Sequence, residues 1–246
     1  MQIIKSMLFQ KYTELIFGFS TKVGLGRTAP YYFNLSFTVG DNSEIVKQNR
    51  EAFFNEIGLS SSQIAFQKQI HSDIISLVTE PGFIGESDAM ITTYKGIGIA
   101  VSTADCTPVF IYDKENQLIA AVHSGWRGTT KRIVEKTLNR LKEEYKSKPS
   151  NMIVYVGPSV SKKNYEIGEE VARQFSEEYL YRKNNKIYLD VAKVNIDMIY
   201  NFGIPENQVE HSSLCSFEEK DLLHSYRRDR NSSGRSLGVI AMKVNR

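Results

Sequence analysis

Apolar positions in this chain recur with two periods, and their alternation outlines an α/β protein. Over "EIVKQNREAFFNEIG", Ile45, Val46, Asn49, Phe53, Phe54 and Ile57 fall on one stripe at helical spacing. Gly58 stops that helix, and Asp41 or Ser43 is placed to cap its start. Short apolar runs follow: "IISLVT", "AMITT", "GIGIAVST", "TPVFIYD" and, after the polar turn "KENQ", "LIAAVHS". They predict neighbouring strands. "GTTKRIVEKTLNRLKEEY" predicts an amphipathic helix that buries Ile133, Val134, Thr137, Leu138 and Leu141. "NMIVYVGPSV" predicts a strand, and "EIGEEVARQFSEEY" a helix with Val171, Phe175 and Tyr179 on one side. "KIYLD", a helix around "VAKVNIDMIYNFG" and a last strand "LGVIAM" complete the pattern. Adjacent strands flanked by helices predict a mixed α/β fold, a mixed sheet with helical cover.

Composition narrows the class. A chain of 246 residues without repeats, low-complexity tracts or long linkers is expected to form one domain over residues 1–246. "SKPSN", "RKNNK" and "RDRNSSGR" fit surface loops. A net charge of +3 is too weak to argue for nucleic acid or a membrane surface as partner. The 2 cysteines, Cys106 and Cys215, are too few for a disulfide framework and read as thiols in a reducing compartment. The first residues lack signal-peptide features, and no apolar run reaches about 18 residues, so a cytoplasmic protein without a membrane helix is expected.

The stretch "VSTADCTPVFIYD" sets an acid and a thiol, Asp105 and Cys106, inside an apolar run. Pro108 and the Thr-Ala-Asp-Cys run predict two strands with a corner between them, where Cys106 can face a pocket. Two of the 4 histidines lie at comparable places: His71 before the strand "IISLVT", and His123 at the end of "LIAAV". Strand ends hold functional side chains on a rigid scaffold. Two imidazoles and a thiolate suit zinc, with a fourth position left for water or substrate. The spacing is not that of a zinc finger, and a plainer reading stays open: hydrogen-bonded structural histidines and a small core thiol.

Other stretches carry chemistry of a second kind. "HSGWRGTTKR" brings Gly125 and Gly128 to the start of a helix, with Thr129 or Thr130 as cap. Free N–H groups there make an anion seat, to which Arg127 adds a forked donor. A tight turn with Trp126 in the core explains the same residues. In "HSYRRDRNSSGR", Arg227, Arg228, Arg230 and Arg235 form either a solvated basic loop or the lining of an anionic-substrate pocket. "NLSFTVGD" reads as a strand and a turn between Asn34 and Asp41, ahead of the helix that carries Arg50.

Taken together these stretches resemble the bacterial multicopper polyphenol oxidase, or laccase-domain, family, since reassigned as purine nucleoside phosphorylases. The matching segments are "NLSFTVGD" with Asn49 and Arg50, "QIHSD", "SDAMIT", "TADCTPVFIYD", "AAVHSGWRGT", "GPSVSKKNYEIGEEV" and "SYRRDRNSSGR". They span nearly the whole chain in the family's order, and "TADC" followed by "HSGWRG" is highly specific. Three features depart from the pattern. Gln69-Ile70-His71-Ser72 replaces the usual Gln-Val-His-Gly, Cys215-Ser216 the usual Cys-Thr, and the loop before Gly234 is longer. They bear on substrate preference more than on the metal site.

The resemblance implies a layered α/β/β/α fold, with two mixed sheets between helices. It implies that His71, Cys106 and His123 are metal ligands and catalytic residues, holding zinc, with copper as the alternative metal. It implies purine nucleosides and phosphate as partners: adenosine, inosine and methylthioadenosine are cleaved to the free base and a ribose 1-phosphate, and adenosine is also deaminated. Asn34, Asp41, Arg50, Arg127, Arg227 and Arg228 are the candidate substrate and phosphate contacts. Laccase chemistry is disfavoured, because several copper centres need more imidazoles than 4 histidines supply. A metal-free alternative is Cys106 as a nucleophile activated by His71 or His123. A binding module with a structural zinc is the non-enzymatic alternative.

Overall fold

The computed structural model describes residues 1–244. The chain opens with β1 (Ile3–Ile4) and β2 (Leu15–Ser20), then helix α1 (Ser43–Glu56). Strands β3 (Ile64–Lys68), β4 (Ile75–Leu77), β5 (Gly82–Glu86), β6 (Ala89–Thr92), β7 (Gly98–Thr103), β8 (Thr107–Asp113) and β9 (Leu118–Ser124) follow. Next come α2 (Trp126–Thr130), α3 (Ile133–Tyr145), β10 (Met152–Val156), β11 (Glu166–Ile167) and α4 (Glu169–Ala172). The last part holds β12 (Leu180–Lys183), β13 (Lys186–Leu189), α5 (Val191–Asn201), β14 (Val209–His211), α6 (Tyr226–Asp229) and β15 (Ser236–Met242).

One sheet runs β1-β2-β15-β7-β3-β5 and a second runs β14-β10-β8-β9-β6-β4; both mix parallel and antiparallel pairs. A small third sheet, β11-β13-β12, stands apart from them. Alternation along the strands gives each large sheet two apolar faces. Phe17, Phe19, Val101 and Ile240 of the first share a buried core with Phe110, Tyr112, Ala121 and Tyr155 of the second. Edge-to-face contacts of Phe17 with Phe110 and Tyr155, at 5.0 and 5.1 Å, join the sheets. On its other face the second sheet packs Val109, Ile111, Ala120 and Val122 against Val134, Leu138 and Leu141 of α3 and Met198 and Ile199 of α5. The first sheet's outer face meets Phe53 and Phe54 of α1 through Ala100, Val239 and Ala241. The layers are therefore α/β/β/α, as the resemblance implies.

Several local expectations are corrected. The cap of α1 is Asn42, whose Oδ1 accepts from Glu44 N and Ile45 N, and not Asp41 or Ser43. The helix expected over residues 128–145 is two helices, because Arg132 adopts a left-handed conformation (φ 60°) between them. Neither Thr129 nor Thr130 caps it: Gly125 is the N-cap of α2, and Thr129 Oγ1 is spent on Gly125 O at 3.0 Å. The helix expected over 166–179 shrinks to α4, since Glu166 and Ile167 pair with β13. "NLSFTVGD" forms turns and not a strand; Asn34 Oδ1 accepts the N–H of Ser36 and so diverts the backbone from a ladder. Strands β2, β3 and β5 lie outside the expected elements.

Candidate functional site

The corner anticipated in "TADC" is where the chain leaves one sheet for the other. β7 belongs to the first sheet and β8 to the second, and residues 104–106 turn between them. Asp105 holds φ 92°, a conformation costly for a residue with a Cβ. The surroundings over-determine it. Thr103 Oγ1 donates to Cys106 O at 2.6 Å and Val160 N to Asp105 O at 2.9 Å. The Asp105 carboxylate accepts Ser216 Oγ–H and Arg227 N–H, each at 2.6 Å. Asp105 thus anchors the basic segment to the corner, and the thiol of Cys106 is free to face the other way.

His71 arrives from the strand end beyond β3. The side-chain amide of Gln69 behaves like a strand residue, donating to Ser102 O at 2.7 Å and accepting from Ser102 N at 2.8 Å. This ties the segment before His71 to the end of β7. His71 itself holds φ 57°. His123 closes β9, and its buried ring stands edge-on to that of His71 with centroids 5.0 Å apart. The ligand atoms of His71, Cys106 and His123 all lie within 4.8 Å of one another, with Cys106 Sγ 3.9 Å from His71 Nε2.

A residue the sequence reading passed over organises both histidines. Asp88 is fully buried at the start of β6. Its carboxylate accepts five hydrogen bonds: His123 Nδ1 at 2.8 Å, the N–H groups of Ile70, His71 and Ser72, and Ser72 Oγ. Engaging Nδ1 leaves Nε2 of His123 for the cluster. "SDAMIT" had flagged the segment, but a strand-initial acid carries no signal of its own.

The electrostatics of the cluster are coupled. Burial pushes the Cys106 thiol up, but the His123 charge and hydrogen bonds to His123 and His71 outweigh it and bring it down to about 6. Burial pushes His123 down, but Cys106 and Asp88 outweigh that and hold it up at about 9. Each group therefore favours the other's charged form, while a metal on the same atoms would need His123 Nε2 free of a proton. Gly125 seals the cluster: a Cβ there would stand 2.8 Å from Cys106 Sγ and 3.0 Å from His71 Cδ2.

The donor set passes a test for zinc. A tetrahedral zinc holds nitrogen and sulfur ligands about 3.6 Å apart, close to the separation of His71 and Cys106. A buried carboxylate behind a metal-binding imidazole is the usual partner that fixes its tautomer. Among the described residues no other group of three such side chains gathers. Exposed His211 lies on β14, and buried His224 faces Phe33 O at 3.4 Å, so neither supplies a ligand.

The candidate substrate residues divide sharply. Arg228 spends all its donors internally, on Ser216 O, Phe217 O, Leu223 O and the Asp229 carboxylate. That corrects the expectation that it contacts an anion. Asn34 is likewise committed: its amide nitrogen donates to Ser36 O and Asp41 Oδ2, and its oxygen accepts from Ser36 N and Arg235 N. With Asp41 it shapes a loop whose Leu35 O takes Arg50 Nε at 2.7 Å. Arg50 is stacked between Phe37 and Phe66, at 4.4 and 4.3 Å from their ring centroids. Arg127 lies over Trp126 at 4.3 Å, and Arg227 over Tyr165 at 4.9 Å. Trp126 packs against the outer core, as the turn reading expects. α2 is only five residues long, so its N-terminus makes no anion seat by itself.

The fold and site define a layered α/β protein with a His-Cys-His centre at the junction of its two large sheets. The family model described as multi-copper polyphenol oxidoreductase laccase matches residues 16–243, and the chain belongs to that family. A purine nucleoside phosphorylase of Corynebacterium glutamicum is 33% identical over 231 residues, covering 90% of this chain and 92% of its own. One of Clostridium acetobutylicum is 34% identical over 221 residues, covering 86% of this chain and 92% of its own. The crystal structure of the hypothetical protein YfiH of Bacillus licheniformis matches with a TM-score of 0.90 at 26% identity, covering 95% of each chain. Among the described residues no helix is long and apolar enough to cross a membrane.

Proposed function

We propose that the protein is a zinc-dependent purine nucleoside phosphorylase. It cleaves adenosine, inosine and methylthioadenosine with phosphate, and it also deaminates adenosine to inosine. The observation that carries this reading is the meeting of His71, Cys106 and His123 in a corner that also holds Arg127 and Arg227, whose guanidinium groups form no ion pair among the described residues. The names of the relatives point the same way. His71, Cys106 and His123 would hold the metal, which when bound supplies positive charge to polarise an oxygen in the site.

Phosphorolysis then divides among the chain's own groups. A phosphate oxygen forms a bond to C1′ while the C1′–N9 bond breaks. The purine leaves with the electron pair and takes up a proton. Arg127 and Arg227 hold the phosphate by charge-assisted hydrogen bonds. Asn34 and Asp41 act by shaping the loop that presents Arg50, whose guanidinium is pre-oriented by two phenyl rings. The two cysteines, both free thiols, fit a reducing, cytoplasmic setting.

Laccase chemistry is the weaker reading. Several copper centres require several imidazole sets, and one three-residue group is present among the described residues. A Cys106–His123 nucleophile is the competitor, because each of the two groups favours the other's charged form. One experiment separates them. Metal-analysed protein is incubated with adenosine, inosine, guanosine and methylthioadenosine, with and without phosphate, and the bases are resolved by chromatography. The expected result is about one zinc per chain and phosphate-dependent release of base. Cys106→Ala is expected to lose zinc and turnover while still folding. A metal-free preparation with full activity would favour the thiol nucleophile, and absence of product would overturn the enzyme reading.

A further inference from the structure

Tyr165 belongs to none of the residues assigned a role so far, yet it stands in the same corner as the His-Cys-His centre. Its ring carries the Arg227 guanidinium at 4.9 Å, and Arg227 N is fastened to Asp105, the neighbour of Cys106. The phenol lies within electrostatic reach of Cys106, Asp105, Arg127 and Arg227. The ring packs on the outer core, and Tyr165 O accepts Leu189 N at 3.1 Å, so the side chain is held from behind. Among the described residues its hydroxyl has no hydrogen-bond partner, although every oxygen of nearby Asp105 has one.

The groups around it carry both signs, Cys106 and Asp105 on one side and Arg127 and Arg227 on the other, but they are not equally engaged. Arg127 and Arg227 lie over aromatic rings, and among the described residues their guanidinium N–H groups make no hydrogen bond or ion pair. Half-buried Arg235 adds a third cation, whose Nη1 donates to Ser233 O and Gly234 O. Both carboxylate oxygens of Asp105 at this corner are already satisfied, by Ser216 Oγ and Arg227 N. Guanidinium forks left without hydrogen bonds suit an oxyanion better than a neutral ribose. Tyrosine is protonated at neutral pH, and burial pushes this phenol further up, so it presents an O–H donor.

We propose that Tyr165 is the hydroxyl donor of a phosphate seat completed by Arg127 and Arg227. The inference rests on the phosphorolysis reading for its biological meaning, but the seat can be tested without it. Tyr165→Phe keeps the ring on which Arg227 lies and removes only the hydroxyl. In the metal-loaded full chain, the KM for phosphate is expected to rise about tenfold, with the KM for nucleoside, the metal content and the melting temperature unchanged. An unchanged KM for phosphate, or an equal rise in both KM values, overturns it. Calorimetric titration with inorganic phosphate runs alongside. If the wild type lacks phosphorolysis but binds phosphate, and Tyr165→Phe binds about tenfold more weakly, the enzyme reading fails and the seat stands. If the wild type binds no phosphate, the seat fails.

Discussion

His123 Nδ1 donates to Asp88 Oδ1 at 2.8 Å, and the same carboxylate gathers the backbone of residues 70–72. One buried acid thus sets the tautomer of one histidine and the left-handed backbone of the other. Burial pushes Asp88 up, but hydrogen bonds from His123 and Ser72 outweigh it and hold it at about 2. Asp88→Ala would leave a buried imidazole and several N–H groups unpaired. We expect a loss of about 3 kcal/mol or more of stability in urea unfolding. Metal affinity, measured by chelator competition, is expected to fall about 10–100-fold even in the milder Asp88→Asn variant. Undiminished affinity in both variants would show that Asp88 serves folding alone.

Gly125 offers a steric test of the cluster. Its φ of −78° suits any L-residue, so Gly125→Ala brings no backbone strain. Its Cβ would instead press on Cys106 Sγ at 2.8 Å and His71 Cδ2 at 3.0 Å. The expected outcome is a folded protein, destabilised by about 1–2 kcal/mol, with metal affinity reduced at least about tenfold. Metal titration of the folded variant checks it, and native affinity would mean that the cluster is more yielding than its packing implies.

Arg227 and Arg228 are adjacent in sequence and opposite in fate. Arg228 clamps Ser216, Phe217, Leu223 and Asp229 with every donor it has. Arg227 bonds through its backbone and lays its guanidinium on Tyr165. We expect Arg228→Ala to cost about 2–4 kcal/mol of stability. Arg227→Ala is expected to cost about 1 kcal/mol or less, the scale of an exposed cation–π contact, and to weaken phosphate binding about tenfold. Denaturation and phosphate titration of the two variants, run in parallel, check this; equal stability losses would remove the distinction.

That pair also marks where the sequence stops being legible. The strands β7, β8 and β9, the stripes of α1 and α3 and the existence of α5 were readable, because alternation and helical spacing are local signals. The layer order and the metal trio came from motif resemblance, since His71 and Cys106 meet only through the crossing from one sheet to the other. Asp88 escaped notice because its partners lie 17 and 35 residues away, at His71 and His123. The helix expected over residues 166–179 failed because pairing of Glu166 and Ile167 with β13 overrides its stripe. "RR" gives no hint that Arg228 is an internal brace while Arg227 lies over a ring; only tertiary contacts decide that.

His224 supplies a pH test away from the metal cluster. It is buried beside Gly234 and Phe33, with Nε2 3.4 Å from Phe33 O. Burial pushes it down to about 3, with the charges of Lys22 and Arg235 acting in the same direction. In the unfolded chain a histidine titrates near about 6.5. Between those values the unfolded state binds a proton that the native state refuses. Its contribution is therefore fully present above about pH 6.5 and is lost as the pH falls toward 3. From pH 7 to pH 5 the loss from this one group is about 2 kcal/mol. Urea unfolding of the wild type and His224→Gln across that range isolates it, because glutamine can still donate to Phe33 O and does not titrate. We expect the stability difference between the two proteins to shift in the variant's favour by about 2 kcal/mol on acidification. Parallel curves would mean that His224 is protonated in the native state, and that its burial is relieved by solvent on this pH scale.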